Sequence, residues 1–167
     1  MKIKFDKLDL GCGNKKPLGY IGVDVSYFDY PKGEFVQADI NYPLPFKDGS
    51  FMVIQAISTI EHIDNSRKVG FINEMYRLLK HGGVFIAVFP PPICSNGNSN
   101  PVFFTDPTHT AWWTPGTFIC FDKDWRDNDI NKEVYKSGYG INTNFKIVAK
   151  DSRWIDNHSL HLELIKF

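Results

Sequence analysis

Glycines and carboxylates fall at successive strand ends, where a ligand can reach them. Asp9-Leu10-Gly11-Cys12-Gly13 closes a short strand candidate, Lys7 to Leu10, with side-chain-free residues where the backbone must turn. Asp24 lies at the end of a second candidate, Tyr20 to Val25, and Asp39 ends a third, Glu34 to Ala38. The two oxygens of a carboxylate suit the vicinal hydroxyls of a ribose, the chemistry read at Asp24, and Asp39 is placed to accept from an adenine amino group. Together they describe a nucleoside pocket that needs no phosphate ligands, at the edge where open α/β sheets bind. A dinucleotide fold asks for a third glycine three residues after Gly13 and an acid about 20 residues past the glycines. Lys16 holds the glycine position and the acid arrives earlier, so a nicotinamide cofactor is disfavoured. Cys12 reads as packing against the sheet.

Two further groups carry chemistry. Glu61-His62 follows the fourth strand candidate and reads either as a base or as structure. His109 stands between Asp106 and the pair Trp112-Trp113, where a carboxylate can orient an imidazole to take a proton from a hydroxyl or amine; a hydrogen-bonded loop anchor is the alternative. Trp112, Trp113, Phe118 and Phe121 either wall a substrate pocket or cover the sheet end. His81 reads as a helix C-terminal cation, and His158 and His161 fall on the last hairpin with no evident partner. No cysteine spacing or histidine cluster reads as a metal site.

The elements that position these groups alternate strand and helix. Only seven residues separate Gly13 from Ile21, too few for a full crossover helix, so a helix there is one turn or missing. Phe51 to Ile57 is a near-continuous apolar run of the kind buried on both faces of a parallel sheet. Arg67 to His81 is the clearest helix, with Val69, Ile72, Met75, Tyr76 and Leu79 at helical spacing, Asn65 or Ser66 as N-cap and Gly82 at its end. Val84 to Phe89 is the next strand, halted by Pro90-Pro91-Pro92, and Ile93 to Pro107 is a long functional loop. Thr114-Pro115 opens a helix with Phe118, Phe121 and Trp125 on one face. Phe145 to Lys150 and Leu160 to Phe167 close the chain as strands.

At 167 residues with 43% hydrophobic and 23% charged residues, the chain fits one domain, residues 1–167. Basic and acidic residues number 19 each, and residues 1–90 carry 11 and 10, so no cationic excess favours nucleic acid or an anionic membrane. Three unpaired cysteines favour a reducing compartment, the cytoplasm. The longest apolar stretch, Val84 to Cys94, is about half a membrane span and contains three prolines. Aromatic content is 15%, concentrated between Phe103 and Trp125. Oligomeric state is not readable from this pattern.

In Leu8-Asp-Leu-Gly-Cys-Gly13, Gly22-Val-Asp24, Gln37-Ala-Asp39, Leu44-Pro-Phe-Lys-Asp-Gly-Ser-Phe51, Glu61-His62 and Glu74-Met-Tyr-Arg-Leu-Leu-Lys-His-Gly-Gly83, the sequence resembles the class I S-adenosylmethionine-dependent methyltransferases. The resemblance runs over about residues 7 to 90 and is closest to small methyltransferase-domain proteins with an abbreviated first helix. Asp106-Pro-Thr-His109 with Trp112-Trp113 is similar to a segment after the fifth strand of some of them. The fold implied is α/β: a Rossmann-like, doubly wound, seven-stranded, mostly parallel sheet with a C-terminal antiparallel hairpin strand. Residues 1–90 then form the cofactor half and residues 93–125 the acceptor-side loop and helix. The resemblance implies S-adenosyl-L-methionine as cofactor, with Asp9, Leu10, Gly11, Cys12 and Gly13 on its methionine part, Asp24 and Val25 at the ribose, Asp39 and Ile40 at the adenine, and Ile57 and Ser58 near the sulfonium. It implies methyl transfer by in-line displacement; the balanced charge points to a small-molecule or sugar acceptor, and the residue reading above puts Asp106, His109, Trp112 and Trp113 at it, with His109 the catalytic candidate. Two departures stand out: Lys15 replaces the family's third glycine, and Met52 replaces the acid after Ser50-Phe51. They motivate a second reading, a catalytically silent S-adenosylmethionine-binding regulatory or partner subunit.

Overall fold

The computed structural model describes residues 5–135, 139–148, 153–155 and 159–167. Among them eight strands form one sheet: β1 (Lys7–Leu10), β2 (Ile21–Asp24), β3 (Phe35–Gln37), β4 (Phe51–Ile57), β5 (Leu79–Phe89), β6 (Phe145–Ile147), β7 (Arg153–Trp154) and β8 (Leu160–Lys166). Seven lie abreast in the order β3-β2-β1-β4-β5-β8-β6, and β7 pairs with β8 outside that path. From β3 to β5 all neighbours are parallel, whereas β8 runs antiparallel to both β5 and β6. The order reverses between β1 and β4, the switch point of a doubly wound sheet. The helices are α1 (Lys68–Leu78) and three short ones, α2 (Pro101–Phe104), α3 (Pro115–Ile119) and α4 (Lys123–Arg126).

Register decides where the core sits. Ile21, Leu8, Ile54, Phe85 and Leu164 follow one another across five strands, and Val23, Leu10, Ala56, Ala87 and Leu162 form the next row. Period-two alternation puts both rows on one face, and every member is at most 2% exposed. On this face Phe71 of α1 meets Phe85 edge-on at 5.9 Å between ring centroids, and Trp113 stacks on Phe118 at 5.0 Å. The other face is different. Val53, Gln55, Val84, Ile86 and Val88 are only half-buried and Ile57 is exposed. Phe51 to Ile57 is therefore not buried on both faces, and the cause lies upstream: no helix forms between β1 and β2, as the seven-residue gap predicts, so no crossover helix from that link covers the face. Lys16 holds the short link instead. Its ammonium is buried, donates to the Tyr20 carbonyl at 2.9 Å and pairs with Glu34 at 3.3 Å.

The other departures from the pattern have local causes. The helix expected to reach His81 stops at Leu78, because Leu79 is extended and pairs with Phe51 of β4. His81 thus lies in β5, exposed, and is no helix-terminal cation. Asp64, rather than Asn65 or Ser66, supplies the cap, accepting the Ser66 amide at 2.8 Å ahead of a short 3-10 turn that leads into α1. Thr114 forms the capping box with Thr117 that opens α3. Asp122 then caps a new helix, so Phe118 and Trp125 sit on two short helices rather than one continuous face. His161 Nε2 lies 3.0 Å from a Glu163 carboxylate oxygen, an ion pair when the ring is protonated. His158 and the end of the Phe145 to Lys150 strand lie outside the described residues. No helix among the described residues is long and apolar enough to cross a membrane.

The two adjacent tryptophans test this packing. Trp113 is fully buried and its Nε1 donates to the Ile60 carbonyl at 2.7 Å, whereas Trp112 is 63% exposed. Trp113→Ala is expected to cost about 3–5 kcal/mol of unfolding free energy in urea titration, and Trp112→Ala to stay within about 0.5 kcal/mol of the parent.

Candidate functional site

The carboxyl ends of β1, β2 and β4 surround two cavities that share Gly11. The larger, about 380 Å³, is lined by Gly11, Asp24, Val25, Ala38, Asp39, Ile40, Asn41, Ser58, Thr59 and His62. The second, about 230 Å³, is lined by Asp9, Gly11, Cys12, Lys15, Pro17, Gln55 and Ile57. Gly11 has φ +62°, and a Cβ there would lie 2.4 Å from Thr59 Oγ1, so both backbone and space demand glycine. Thr59 closes the bend by donating to the Leu10 carbonyl at 3.1 Å. Leu10, expected at the cofactor, is core by its side chain and has its carbonyl occupied.

Asp24 braces the glycine turn: Oδ2 accepts the Gly13 amide at 3.0 Å and Oδ1 accepts the Ser26 amide at 2.9 Å. Each oxygen keeps a lone pair for a ligand hydroxyl. Asp39 uses Oδ1 for the Asn41 amide at 2.9 Å, leaving Oδ2 available. Among the described residues the Ile40 amide has no hydrogen-bond partner, so this end of the cavity offers a donor and an acceptor side by side, which an adenine edge requires. Ser58 holds a left-handed conformation, φ +49°, at the cavity wall. Asp9 accepts from Gln55 Nε2 at 2.8 Å, and burial pushes its carboxyl above the ordinary range. Cys12 packs where a Cβ on Gly22 would otherwise fall, and burial, then the Asp9 and Asp24 charges, push its thiol up to about 12, so it is inert. These residues fit an adenosyl group in the larger cavity and its amino-acid tail in the smaller.

A second set of groups meets beside His62. The His62 and His109 rings lie 4.8 Å apart, edge to face. His109 Nδ1 is 2.9 Å from the Phe103 carbonyl, which fixes that nitrogen as the donor, and Nε2 is 3.7 Å from Asp106. Asp106 itself takes the Thr108 hydroxyl and amide, and these bonds lower its pKa. Glu61 is 1% exposed, its Oε2 has no partner, and burial pushes its carboxyl up to about 7. The structure thus brings together His109, Asp106, Glu61 and His62. Trp113, expected at the acceptor, faces the core instead. Asn41, Gln55 and Thr59 line the cavities without having been marked by any motif; only their positions next to strand ends pointed to them.

Residues 8–87 match the methyltransferase domain family. No curated protein matches the chain. Among solved structures, a SAM-dependent methyltransferase from Archaeoglobus fulgidus superposes with TM-score 0.61 at 17% identity, over 96% of this chain and 85% of that one. The putative methyltransferase in a complex with the Trm112 methyltransferase activator of Haloferax volcanii gives 0.58 at 15% identity, over 99% and 85%. PigF with SAH gives 0.58 at 14% identity, over 96% of this chain and 56% of PigF. At these identities the likeness is one of fold.

Two measurements probe the site. Asp24→Ala removes the brace on Gly13 and one ligand face, and is expected to weaken binding of the adenosyl ligand about tenfold or more by calorimetry. Glu61 has its folded pKa raised above 4.5 to about 7. The folded state therefore holds a proton that the unfolded state has released between these values, and stability falls as pH rises through that window. In buffer free of divalent cations the parent is expected to lose up to about 3 kcal/mol between pH 4.5 and 8 through this group, a slope absent from Glu61→Gln.

Proposed function

Because residues 8–87 match the methyltransferase domain family, we propose that this chain is a class I S-adenosylmethionine-dependent methyltransferase that methylates a hydroxyl or amine of a small molecule or sugar. S-adenosylmethionine, when bound, supplies a methyl group already activated by a positively charged sulfur. The protein's task is alignment in a dry pocket, with a base needed only where the nucleophile must lose a proton. Gly11, Gly13, Asp24, Asp39 and the Ile40 amide would hold the adenosyl part, with Val25 against the ribose. Asp9, Cys12, Lys15 and Ile57 would surround the amino-acid tail, and Ser58 would stand between them. Residues 1–90 are taken as the donor half and residues 93–125 as the acceptor side of a single domain.

The observation that carries this reading is the meeting of His62, a wall of the donor cavity, with His109, whose ring is oriented by the Phe103 carbonyl. A nucleophile entering beside the donor cavity meets the Glu61, His62 and His109 group, to which deprotonation falls. Exposed Phe104 and Trp112 flank that entry in sequence and offer flat apolar rings to a sugar or aromatic acceptor. Cys12, Cys94 and Cys120 are all free, in keeping with a cytoplasmic setting.

A second reading, a silent subunit completed by a partner, draws on the uncovered sheet face with its half-buried Val84, Ile86 and Val88. A radiolabelled methyl-transfer screen over sugars, small hydroxyl compounds, amines, peptides and RNA separates the two. Turnover of a small acceptor is expected, with His109→Ala lowering kcat about 100-fold or more and Trp112→Ala raising KM for the acceptor alone. Donor binding without transfer to any acceptor would favour the silent subunit. Unchanged kinetics in both variants would displace the acceptor site from this loop.

A further inference from the structure

Three atoms able to ligate a metal converge beside the larger cavity. Ligating atoms of Glu61, His62 and His109 lie within 4.8 Å of one another. Hydrogen bonding fixes both imidazoles the same way round. His109 Nδ1 can only donate to the Phe103 carbonyl, so in the neutral ring Nε2 carries the lone pair. Thr108 spends its hydroxyl hydrogen on Asp106, so its oxygen accepts from His62 Nδ1 at 2.9 Å, and His62 Nε2 likewise keeps a lone pair.

The third atom is the most demanding. Glu61 is 1% exposed and its Oε2 has no hydrogen-bond donor. Backbone amides of Glu61 and Thr59 reach the carboxyl group, but the one neighbouring charge that acts on it is another acid, Asp106. A buried carboxylate oxygen with no partner is costly, and the side chains beside it bring further lone pairs rather than donors.

We propose that Glu61, His62 and His109 bind one divalent transition-metal ion, such as Zn²⁺, Fe²⁺ or Co²⁺. Two imidazoles and one carboxylate favour these ions over Mg²⁺ or Ca²⁺, whose preference is for oxygen alone. An imidazole whose second nitrogen donates to a carbonyl, or through a hydroxyl to a carboxylate, is the outer support that metal-binding histidines carry, and here both rings have it. The ring of His62 is exposed at the cavity wall, so an ion reaches its Nε2 from solvent. Three protein ligands leave coordination positions open. Since His62 also walls the donor cavity, an oxygen of the acceptor is the class of ligand that would fill one. The site deepens the functional reading above by naming an oxygen acceptor, and rests on it only for that use of the ion.

The test is titration of chelator-treated protein with Co²⁺, followed by its visible absorption bands, with Zn²⁺ as competitor. A saturable spectrum at one equivalent is expected, displaced by Zn²⁺ and weakened at least tenfold in Glu61→Gln, His109→Ala and His62→Ala. His62 is exposed, so its variant remains informative if either buried substitution unfolds the chain, which circular dichroism reports. A wild-type protein giving no saturable spectrum would overturn the proposal and leave protons alone to serve the cluster. So would binding that all folded variants retain. Calorimetry with the demethylated donor on the same sample separates the two readings: Co²⁺ uptake without donor uptake upholds this site and counts against the methyltransferase reading, whereas donor uptake without Co²⁺ uptake does the reverse.

Discussion

Three hydrogen bonds lay one segment of chain against another, and the site exists because of them. Thr110 Oγ1 donates to the Ile63 carbonyl at 2.8 Å, the Ala111 amide to the Glu61 carbonyl at 3.0 Å, and Trp113 Nε1 to the Ile60 carbonyl at 2.7 Å. The turn after β4 is thereby bound to a segment some 50 residues away in sequence, and His109 is delivered to His62. Trp113 is the anchor. Its ring fills the space between Phe71 and Phe118, so the bond to Ile60 is made inside the apolar layer, where water does not compete. Packing and chemistry are thus coupled through one side chain, and the cluster of basic atoms lies a few residues from the best-packed part of the core.

The same sheet has no helix between β1 and β2 to cross its other face, and this shapes the glycine turn as well. With no helix after β1, the turn at Gly11 to Gly13 cannot rely on a helix N-terminus for support. The protein substitutes side chains: Asp24 takes the Gly13 amide, the Tyr30 hydroxyl donates to the Gly13 carbonyl at 3.0 Å, and the Lys16 amide donates to the Tyr30 oxygen at 2.9 Å. Gly22 is required by this arrangement, since a Cβ there would fall 2.6 Å from Cys12 Sγ and 2.9 Å from Lys16 Cδ. A loop braced in this way is smaller than a helix and leaves Leu18 almost wholly exposed.

How much of this was legible in the sequence depends on the range of the signal. Strand ends at Asp9, Asp24 and Asp39 and the glycine bend are local features, and the structure opens two cavities beside them. The missing helix followed from counting seven residues. The end of α1 did not, because the helical pattern runs through Leu79 and only the pairing of that residue with Phe51 stops it. Trp112 and Trp113 look alike as letters, and which one enters the core depends on a turn at residues 60–63 that no periodicity reveals. The meeting of Glu61 with His109 is likewise tertiary. Each was visible as a candidate, but a separation of 48 positions hid that they share a site.

Charge gives the two halves of the site a common logic. The larger cavity presents Asp24 and Asp39 and no Lys or Arg, so its field favours a cation. A sulfonium donor is such a cation, and its demethylated product is neutral, so the attraction that helps to seat one is withdrawn from the other when the methyl group leaves. The smaller cavity carries the balancing lysine, Lys15, at the position where the family has glycine. On the donor placement proposed above, its ammonium would face the carboxylate of the amino-acid tail, a contact that methyl transfer would leave unchanged. On that placement, binding shared by donor and product would fall to the tail, and discrimination between them to the acidic end of the sheet.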